Sequence, residues 1–360
     1  MENKTCMDTQ LYPLTFKPLY KNYIWGGRNL EKLGKVLPDG IVAESWEISA
    51  HQDGMGIVAE GPFEGRTLKE LADEYKEQLL GSLSYSKYKE KFPLLLKFFD
   101  ANDWLSVQVH PDDEYARIHE NDFGKTEMWY IVDAVPGASV LYGLEKKVTR
   151  SEFKKVIDEG RISELLKRVP VSPGDILYIP AGTVHAAGKG LLIAEIQQNS
   201  NATYRLYDFD RKNPDGTTRP LHIEKALDSI NFEKAANTGK TQGLSYKKDD
   251  ADIRVIIADA HFCVDIIDIN GETSLSADGR SFIAYLFYEG EGALTWNKGS
   301  MPVKAGKSVL VPANIGSYTI QGRIKALRSY VGDINEDVFK PLLEAGYDKE
   351  QIINSVAGLA

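Results

Sequence analysis

The segment from Gly174 to His185, GDILYIPAGTVH, constrains the fold more than any other part of this 360-residue chain. Gly174 and Asp175 favour a hairpin turn, and the β-forming run ILYI follows them. Pro180 and Gly182 favour a second turn directly after that run. A short strand closed by turns at both ends is expected to leave His185 projecting inward.

Three further polar residues combine with His185 into one predicted metal site. Gln108 and His110 stand two apart in LSVQVHPDDE, so their side chains share one face of a strand. Glu127 opens the strand-like run MWYIVDA. Two imidazoles and one carboxylate, with room for water, commonly hold a catalytic divalent cation, and the amide of Gln108 would add a weak neutral ligand. Zn²⁺, Fe²⁺, Mn²⁺ and Ni²⁺ all suit such donors.

The chain resembles the cupin superfamily in the pattern GD(x)4PxGxxH at 174–185 and in a first motif from His110 through Glu127 to Gly143. It is most similar to type I mannose-6-phosphate isomerases, in their shorter bacterial form. The segments that carry this likeness span most of residues 10–330: WGGRNL, ESWEIS, QVHPDD, GKTEMWYIV, PAGTVHA and IQQNSNATYRLYDFDR.

The resemblance implies a mainly β fold of tandem double-stranded β-helix (cupin) barrels with a small helical insertion. It also implies one Zn²⁺ per chain and an aldose–ketose isomerase that interconverts D-mannose 6-phosphate and D-fructose 6-phosphate through a cis-enediol. The positions of Glu195 and Arg205 are implied to lie in the active site.

An internal echo indicates that the barrel occurs twice. AGKSVLVPANIGS repeats the spacing of PGDILYIPAGTVH, with Gly306 at the turn and Pro312 at the end of the strand. Ser317 then occupies the position of His185, and no ligand pair like that of the first copy accompanies it. A repeat that keeps the turns and loses the ligands keeps the fold without the metal. We therefore predict one metal-binding barrel and one metal-free barrel.

These patterns predict the following limits. An N-terminal metal-binding cupin domain covers 1–64 and 92–220, with a helical insertion at 65–91; a connecting helix and linker cover 221–250, a metal-free cupin-like domain 251–335 and a terminal helical segment 336–360. The insertion begins with a predicted capping box formed by Thr67 and Glu70. A second amphipathic helix is predicted near 151–168, with Ser151 at its start.

Several cationic and polar residues near these motifs are candidates for substrate binding. Lys125 shares a strand face with Glu127 if the segment is extended, and Arg205 offers the planar fork that suits phosphate or an oxyanion. Ser106 is a weaker candidate for a hydroxyl contact to phosphate. Arg211 and its neighbour Lys212 fall in a turn, where we expect them to be solvated.

Isomerisation between C1 and C2 of an open-chain sugar needs a base and an electrophile for the developing oxyanion. The metal and Arg205 are candidate electrophiles, and Lys125 is a candidate catalytic residue beside the metal. Glu195, in the apolar run LLIAEIQQ, and His51 are both candidate bases, and burial would raise the pKa of such a carboxyl group. The residues leave open which group moves the proton.

Two other functions are compatible with the ligand types. A metal-dependent oxygenase could use the same donors with Fe²⁺ or copper, although nothing in NATYRLYDFD requires it. A non-catalytic sugar-binding cupin is the second alternative, but such a chain should have lost a ligand.

Composition limits the partners. A formal net charge of -9 without a basic aromatic stripe argues against nucleic acid. Charged residues interrupt every apolar run before it could span a membrane, and the first residues lack a secretory signal. Cys6 and Cys263 suggest no disulfide framework, which favours the cytoplasm. We expect a small sugar phosphate as ligand and a monomer or weak homo-oligomer.

Overall fold

The computed structural model describes residues 10–213, 215–233 and 239–359, and its elements are mainly antiparallel strands. The strands are β1 (Phe16–Lys17), β2 (Leu19–Lys21), β3 (Glu44–Ile48), β4 (Ala50–His51), β5 (Gly54–Met55), β6 (Ile57–Val58), β7 (Leu94–Ala101), β8 (Val107–Val109), β9 (Glu127–Ala134), β10 (Ser139–Leu144), β11 (Leu166–Pro170), β12 (Ile176–Ile179), β13 (His185–Ala187), β14 (Leu191–Gln198), β15 (Tyr204–Tyr207), β16 (Lys240–Thr241), β17 (Leu244–Lys248), β18 (Ala251–Ala258), β19 (Cys263–Ala277), β20 (Ile283–Trp296), β21 (Gly299–Lys304), β22 (Ser308–Val311) and β23 (Gly316–Tyr330). The helices are α1 (Leu68–Leu80), α2 (Ser82–Tyr88), α3 (Asp113–His119), α4 (Arg150–Asp158), α5 (Ile223–Ser229), α6 (Lys340–Glu344) and α7 (Lys349–Ser355), with 3₁₀ turns at Asn29–Leu33 and Ile162–Leu165 and a π-helical turn at Ile334–Phe339.

Two facing sheets form the first barrel. One has the strand order β16-β12-β9-β14-β7-β3-β2, and the other has the order β11-β10-β13-β8-β15. Apolar side chains from both sheets, such as Trp129 and Ile193 from the first and Val140 from the second, pack into one buried cluster between them. The polar side chains of the candidate site project into the same interior.

The outer face of the seven-stranded sheet is buried as well. Leu96 and Ile196 on that sheet share a core cluster with Leu71 of α1 and with Phe282 and Leu286 of the second half of the chain. Strand β14 is therefore covered on both faces, which explains why LLIAEIQQ is apolar almost throughout. The one charged residue in that run, Glu195, needs a partner inside the barrel.

The second barrel is a sheet of order β17-β18-β19-β23-β20-β21, with β22 paired to β20. Its long strands meet at three glycines, because Gly322 is paired with Gly271 on one side and with Gly292 on the other. A Cβ on Gly322 would lie 2.4 Å from the carbonyl oxygen of Glu291. Glycine thus allows these strands to approach closely.

The predicted repeat is confirmed at the level of strand register. In the first barrel Leu177 is paired with Trp129, and in the second Val309 is paired with Tyr285. The turn that precedes each short strand also accepts the same backbone hydrogen bond. The N–H of Ile131 donates to the carbonyl oxygen of Asp175 at 2.9 Å, and the N–H of Phe287 donates to that of Lys307 at 3.0 Å. The mainly β fold with tandem barrels is as expected.

The helical predictions were right in part. Thr67 caps α1, and its capping box with Glu70 is present as predicted. The helix predicted near 151–168 was wrong in length: α4 ends at Asp158, and Leu166–Pro170 form strand β11. Gly160, with a φ of 69°, breaks the helix, and the hydrogen bonds that β11 makes to β10 outweigh its helical pattern.

Thr149, rather than the predicted Ser151, caps α4. The hydroxyl of Thr149 accepts a hydrogen bond from the N–H of Glu152, whose carboxylate bonds back to the N–H of Thr149 at 2.8 Å. The expected connecting helix in 221–250 is the short helix α5, and α6 and α7 lie in the terminal segment. The limits of the domains themselves stay predictions. None of the helices in the described ranges has the length and apolar character needed to cross a membrane.

Candidate active site

The ends of three neighbouring strands bring His110, Glu127 and His185 together. His110 follows β8 directly, Glu127 is the first residue of β9, and His185 is the first residue of β13. Nε2 of His110 lies 3.4 Å from one oxygen of Glu127, and Nε2 of His185 lies 3.2 Å from the other. All three side chains are buried, and one ligand atom from each lies within 4.8 Å of the others.

Hydrogen bonds orient both imidazoles toward this cluster. Nδ1 of His110 lies 2.9 Å from the carbonyl oxygen of Ala202, and Nδ1 of His185 lies 2.9 Å from that of Thr183. A proton on each Nδ1 satisfies these carbonyls and leaves the lone pair of each Nε2 directed at Glu127. The cluster therefore presents three electron-pair donors to one point.

The two oxygens of Glu127 are buried and receive no hydrogen bond of good geometry from the described part of the chain. The ammonium of Lys125 lies 2.7 Å from Oε2, which makes an ion pair without that geometry. Burial alone would raise the pKa of Glu127, but Lys125 and the two histidines lower it well below its usual value. A buried carboxylate facing two imidazole lone pairs fits a bound cation, because a cation would be bonded by all three.

Gln108 lies beside this cluster, as its spacing to His110 predicted. It is paired with His185 across β8 and β13, and its Nε2 is 3.4 Å from Nε2 of that histidine. Its Oε1 accepts a hydrogen bond of 3.3 Å from Ser106. A rotation of the amide would exchange its nitrogen and oxygen and direct the oxygen at the cluster.

A row of buried charges of alternating sign leads away from the cluster. Lys125 lies between Glu127 and Glu195, at 2.7 Å and 3.8 Å. Glu195 also pairs with Lys97 at 2.7 Å, and Lys97 is 3.4 Å from Glu44. The four residues beyond Glu127 have side chains no more than 10% exposed, so their attraction is weakly screened by solvent.

The pKa of Glu195 is shifted toward neutral pH. Burial raises the pKa of Glu195 to about 8, and the negative charge of Glu127 acts in the same direction, while Lys97 and Lys125 oppose the rise. The indole N–H of Trp129 donates to its Oε1 at 3.2 Å. A carboxyl group with this pKa exchanges protons readily near neutral pH.

Lys97 and Glu44 were not predicted from the sequence. The two residues lie on adjacent strands, where Lys97 is paired with Trp46 two positions from Glu44. The signal for Lys97 was its isolation in the apolar run FPLLLKFFD, because a lone lysine in a strand buried on both faces requires an internal carboxylate. Glu44 carried no comparable signal.

A cavity of about 250 Å³ opens beside the row of charges. Its walls include Gln108 and the predicted residues Ser106, Lys125, Glu195 and Arg205. His51, the other candidate base, lies elsewhere: it lines a different cavity, and its Nε2 is 3.2 Å from Asp122. The structure therefore brings Glu195, and not His51, to the cavity beside the cluster.

Three arginines cluster at the rim of this cavity. Arg205 and Arg219 both line it, and Arg211 and Arg219 share the carboxylate of Asp208. Burial and the neighbouring Arg219 lower the pKa of Arg205. Arg211 also pairs with Asp103 at 3.7 Å, whereas Arg205 makes no ion pair with the described residues, so three guanidinium groups share two carboxylates and the rim attracts anions.

The outcome for the residues of this turn is mixed. The prediction that Arg211 is solvated was wrong, because its side chain is only 14% exposed and is bound to Asp208. Lys212 is exposed as expected. Arg219 was not predicted. It lies in the irregular segment TTRP, which shows neither helical nor strand periodicity in the sequence.

A β-barrel with a His-His-carboxylate cluster beside a polar cavity is the arrangement of a metal-binding cupin. Residues 14–132 match the family model of the phosphomannose isomerase type I catalytic domain, and residues 253–331 match that of the mannose-6-phosphate isomerase cupin domain. The chain belongs to the type I phosphomannose isomerase family.

Curated and solved relatives agree with this membership. Mannose-6-phosphate isomerase ManA of Bacillus subtilis (strain 168) is 40% identical over 321 residues, which are 89% of this chain and 99% of that protein. Mannose-6-phosphate isomerase of Streptococcus mutans is 38% identical, over 88% of this chain and 98% of that protein. A crystal structure of the mannose 6-phosphate isomerase from Bacillus subtilis superposes with a TM-score of 0.81 at 36% identity, over 88% of this chain and 99% of that one.

Proposed function

We propose that this protein is a metal-dependent aldose–ketose isomerase that interconverts D-mannose 6-phosphate and D-fructose 6-phosphate. The observation that carries the proposal is one cavity with three kinds of wall residue. Gln108 lies at the edge of the metal cluster, Glu195 has a carboxyl group able to exchange protons near neutral pH, and Arg205 and Arg219 form a cationic rim. Relatives that bear the name of this activity align over nearly their whole length.

We propose Zn²⁺ as the metal, one per chain, held by Gln108, His110, Glu127 and His185. The donor set fits zinc, which accepts imidazole nitrogen and carboxylate oxygen and has no redox chemistry. When bound, such a cation acts as a Lewis acid toward sugar oxygens. The orphaned oxygens of Glu127 support a cation at this point.

We assign the proton transfer to Glu195. Its ionised carboxylate removes the proton from C2 of the open-chain aldose, the C1–C2 double bond of the cis-enediol forms, and the carbonyl oxygen at C1 takes up a proton. On collapse to the ketose, the C2 hydroxyl loses its proton as C2 becomes the carbonyl, and protonated Glu195 returns its proton to C1. The proton released from the C2 oxygen offsets the one taken up by the C1 oxygen, so the atoms balance. A base with a pKa near the working pH suits this shuttle in both directions.

Lys125 and Arg205 are proposed to stabilise the charge that develops on the sugar oxygens. Lys125 lies between the metal cluster and Glu195, at 2.7 Å from Glu127. Nη1 of Arg205 donates a hydrogen bond of 2.8 Å to the carbonyl oxygen of Pro220. Its buried Nε has no hydrogen-bond partner in the described ranges. Together with the other rim arginines and the hydroxyl of Ser106, Arg205 also supports binding of the phosphate.

The alternatives considered from the sequence are weaker. An oxygenase would need a redox metal, whereas the proposed isomerisation needs none, and family membership supports the isomerase. A non-catalytic sugar-binding protein would not need the buried proton-exchanging row from Glu44 to Lys125.

We also propose a cytoplasmic location and a monomer or weak homo-oligomer. The buried free thiol of Cys263 supports the cytoplasmic location. Cys6 lies outside the described residues.

A coupled assay tests the activity directly. Purified protein is given D-mannose 6-phosphate, and formation of D-fructose 6-phosphate is followed before and after treatment with EDTA and after readdition of Zn²⁺. We expect turnover that EDTA abolishes and Zn²⁺ restores. Absence of turnover in protein that is folded and metal-loaded would reject the isomerase, and turnover unaffected by complete metal removal would reject the role of the metal.

A further inference from the structure

A second polar cavity, of about 370 Å³, lies at the second barrel. We call it the second-barrel cavity. One side is formed by the barrel, including Tyr246, Ser276, Arg328 and Tyr330, and the other by residues after β23, including Lys340. Nothing in the proposed isomerisation uses this cavity, which has its own set of polar groups.

The strand register relates one residue of its wall, Arg328, to the reactive row of the first barrel. In the first barrel, Glu195 on β14 is paired on its two sides with Lys97 and Trp129. In the second barrel, Arg328 on β23 is paired with Asp265 and with Tyr285 in the same way. The second barrel thus keeps an ion pair beside an aromatic residue at the equivalent place, with the signs of the two charges exchanged.

This ion pair is deeply buried, with side chains 14% exposed for Arg328 and 0% exposed for Asp265. Asp265 is fully buried, and both Nε and Nη2 of Arg328 donate to its Oδ2, Nε at 2.9 Å. Its Oδ1 has no hydrogen-bond partner among the described residues. Replacing a buried ion pair with apolar residues is commonly neutral or stabilising, so its presence at a cavity calls for another use.

Carboxylates outnumber cations in the wall of the second-barrel cavity, and this limits the class of ligand: Arg280, Arg328 and Lys340 stand against Asp278, Glu336, Asp337 and Glu344. Arg280 is neutralised by Asp278 and Asp337, and Lys340 by Glu336. Each cation among the described residues of this wall has an acidic neighbour, in contrast to Arg205 at the first cavity, so a phosphate would gain little here. Paired charges with tyrosine side chains between them instead offer donors, acceptors and apolar ring faces.

We propose that the second-barrel cavity binds an unphosphorylated monosaccharide or a similar small polyol. Hydroxyl groups of such a ligand can accept from arginine and donate to the carboxylates, while its C–H faces pack on Tyr246 and Tyr330. The residues after Val331, which complete the cavity, lie beyond the segment that matches the family's cupin model. The cavity is therefore built jointly by the matched cupin segment, which contributes Ser276, Arg328 and Tyr330, and by residues outside it.

Titration calorimetry with D-mannose as the probe tests the proposal on the metal-loaded protein. Ser276 is exposed and lines the cavity, so Ser276→Phe fills it from the rim without disturbing the core. We expect wild type to bind D-mannose and Ser276→Phe to bind it at least tenfold more weakly. Ser274→Phe is the matched control, because Ser274 is exposed on the same strand two residues away and does not line the cavity.

Arg328→Lys provides a second variant that keeps the charge beside Asp265 and loses the planar fork. We expect a comparable loss of D-mannose binding and a melting temperature within a few degrees of that of wild type. Equal binding by wild type and Ser276→Phe would overturn the proposal, as would absence of binding to wild type. Binding of inorganic phosphate in place of D-mannose would overturn the assigned ligand class. None of these results depends on isomerase turnover.

Discussion

Glu195 owes its reactivity to a balance between burial and two ammonium groups. Lys97 at 2.7 Å favours its ionised form, whereas desolvation and Glu127 favour its protonated form. A bound divalent cation would offset part of the charge of Glu127 and so lower the pKa of Glu195 again. We therefore expect the working pKa of Glu195 to lie between its ordinary value of 4.5 and about 8.

Replacement of this carboxyl group should remove proton transfer without loss of metal. We expect Glu195→Gln to lower kcat by about 10²–10⁴ and to retain wild-type zinc content. Wild-type kcat/KM should rise with pH through the pKa of Glu195, because the base acts in its ionised form, and the residual activity of the variant should lack this rise. Steady-state kinetics across pH measures both, and a variant with an unchanged pH profile would exclude Glu195 as the base.

Arg205 can act on the reacting oxygens or on the phosphate, and a conservative change separates these roles. Arg205→Lys keeps the charge and loses the fork. We expect kcat to fall by about 10²–10³ with little change in KM, as for the loss of an oxyanion donor. Arg219→Lys, at the same rim but bound to Asp208, should mainly raise KM. A raised KM with unchanged kcat for Arg205→Lys would assign that residue to binding alone.

The residues that could be predicted from sequence were those whose type and spacing both carry information. Gln108 and His110 share a strand face, and the turn before His185 fixes where that histidine points. Arg219 and Glu44 could not be found in this way, because tertiary contacts alone bring them to the cavity. The prediction for Arg211 failed for the same reason: the carboxylate that orders it is contributed by the folded turn.

At the scale of elements, local signals succeeded where they agreed with the tertiary structure. The capping box at Thr67 and the turns at Gly174 and Gly306 formed as predicted, since nothing in the fold opposes them. The helical pattern near 151–168 failed in its second half. There the backbone hydrogen bonds of β11 to β10 are worth more to the fold than helix propensity, which is a weak preference.

The cap of α4 gives a matched pair of tests on adjacent hydroxyl residues. Thr149→Ala removes the acceptor for the N–H of Glu152 and should reduce the opening free energy of α4 by about 0.5–2 kcal/mol. Ser151 lies two residues further along the chain and does not cap the helix. Ser151→Ala should therefore change the opening free energy of α4 by less than about 0.5 kcal/mol. Hydrogen exchange of the α4 amides measures both values, and equal effects would show that the capping box does not stabilise this helix.

At the scale of the whole molecule, the two barrels share one framework and differ in their interiors. Equivalent strands, turns and register are present in both, yet within the described ranges only the first groups three residues that could hold a metal ion. A core cluster that includes Leu96 of the first barrel and Leu286 of the second joins them. The second barrel therefore supports the first as a packing surface even though it lacks metal ligands.

This division of roles predicts the metal content of the chain and where it is lost. Elemental analysis should find about one Zn²⁺ per chain, and His110→Ala combined with His185→Ala should reduce it to background, because two of the three charged or imidazole donors are removed. Ser317→Ala, at the position equivalent to His185, should keep the metal and keep turnover within about tenfold of wild type, or ~1.4 kcal/mol in activation free energy. Wild-type metal content in the double variant would disprove the assigned ligands. A larger loss of turnover in folded Ser317→Ala protein would show that the second barrel takes part in catalysis.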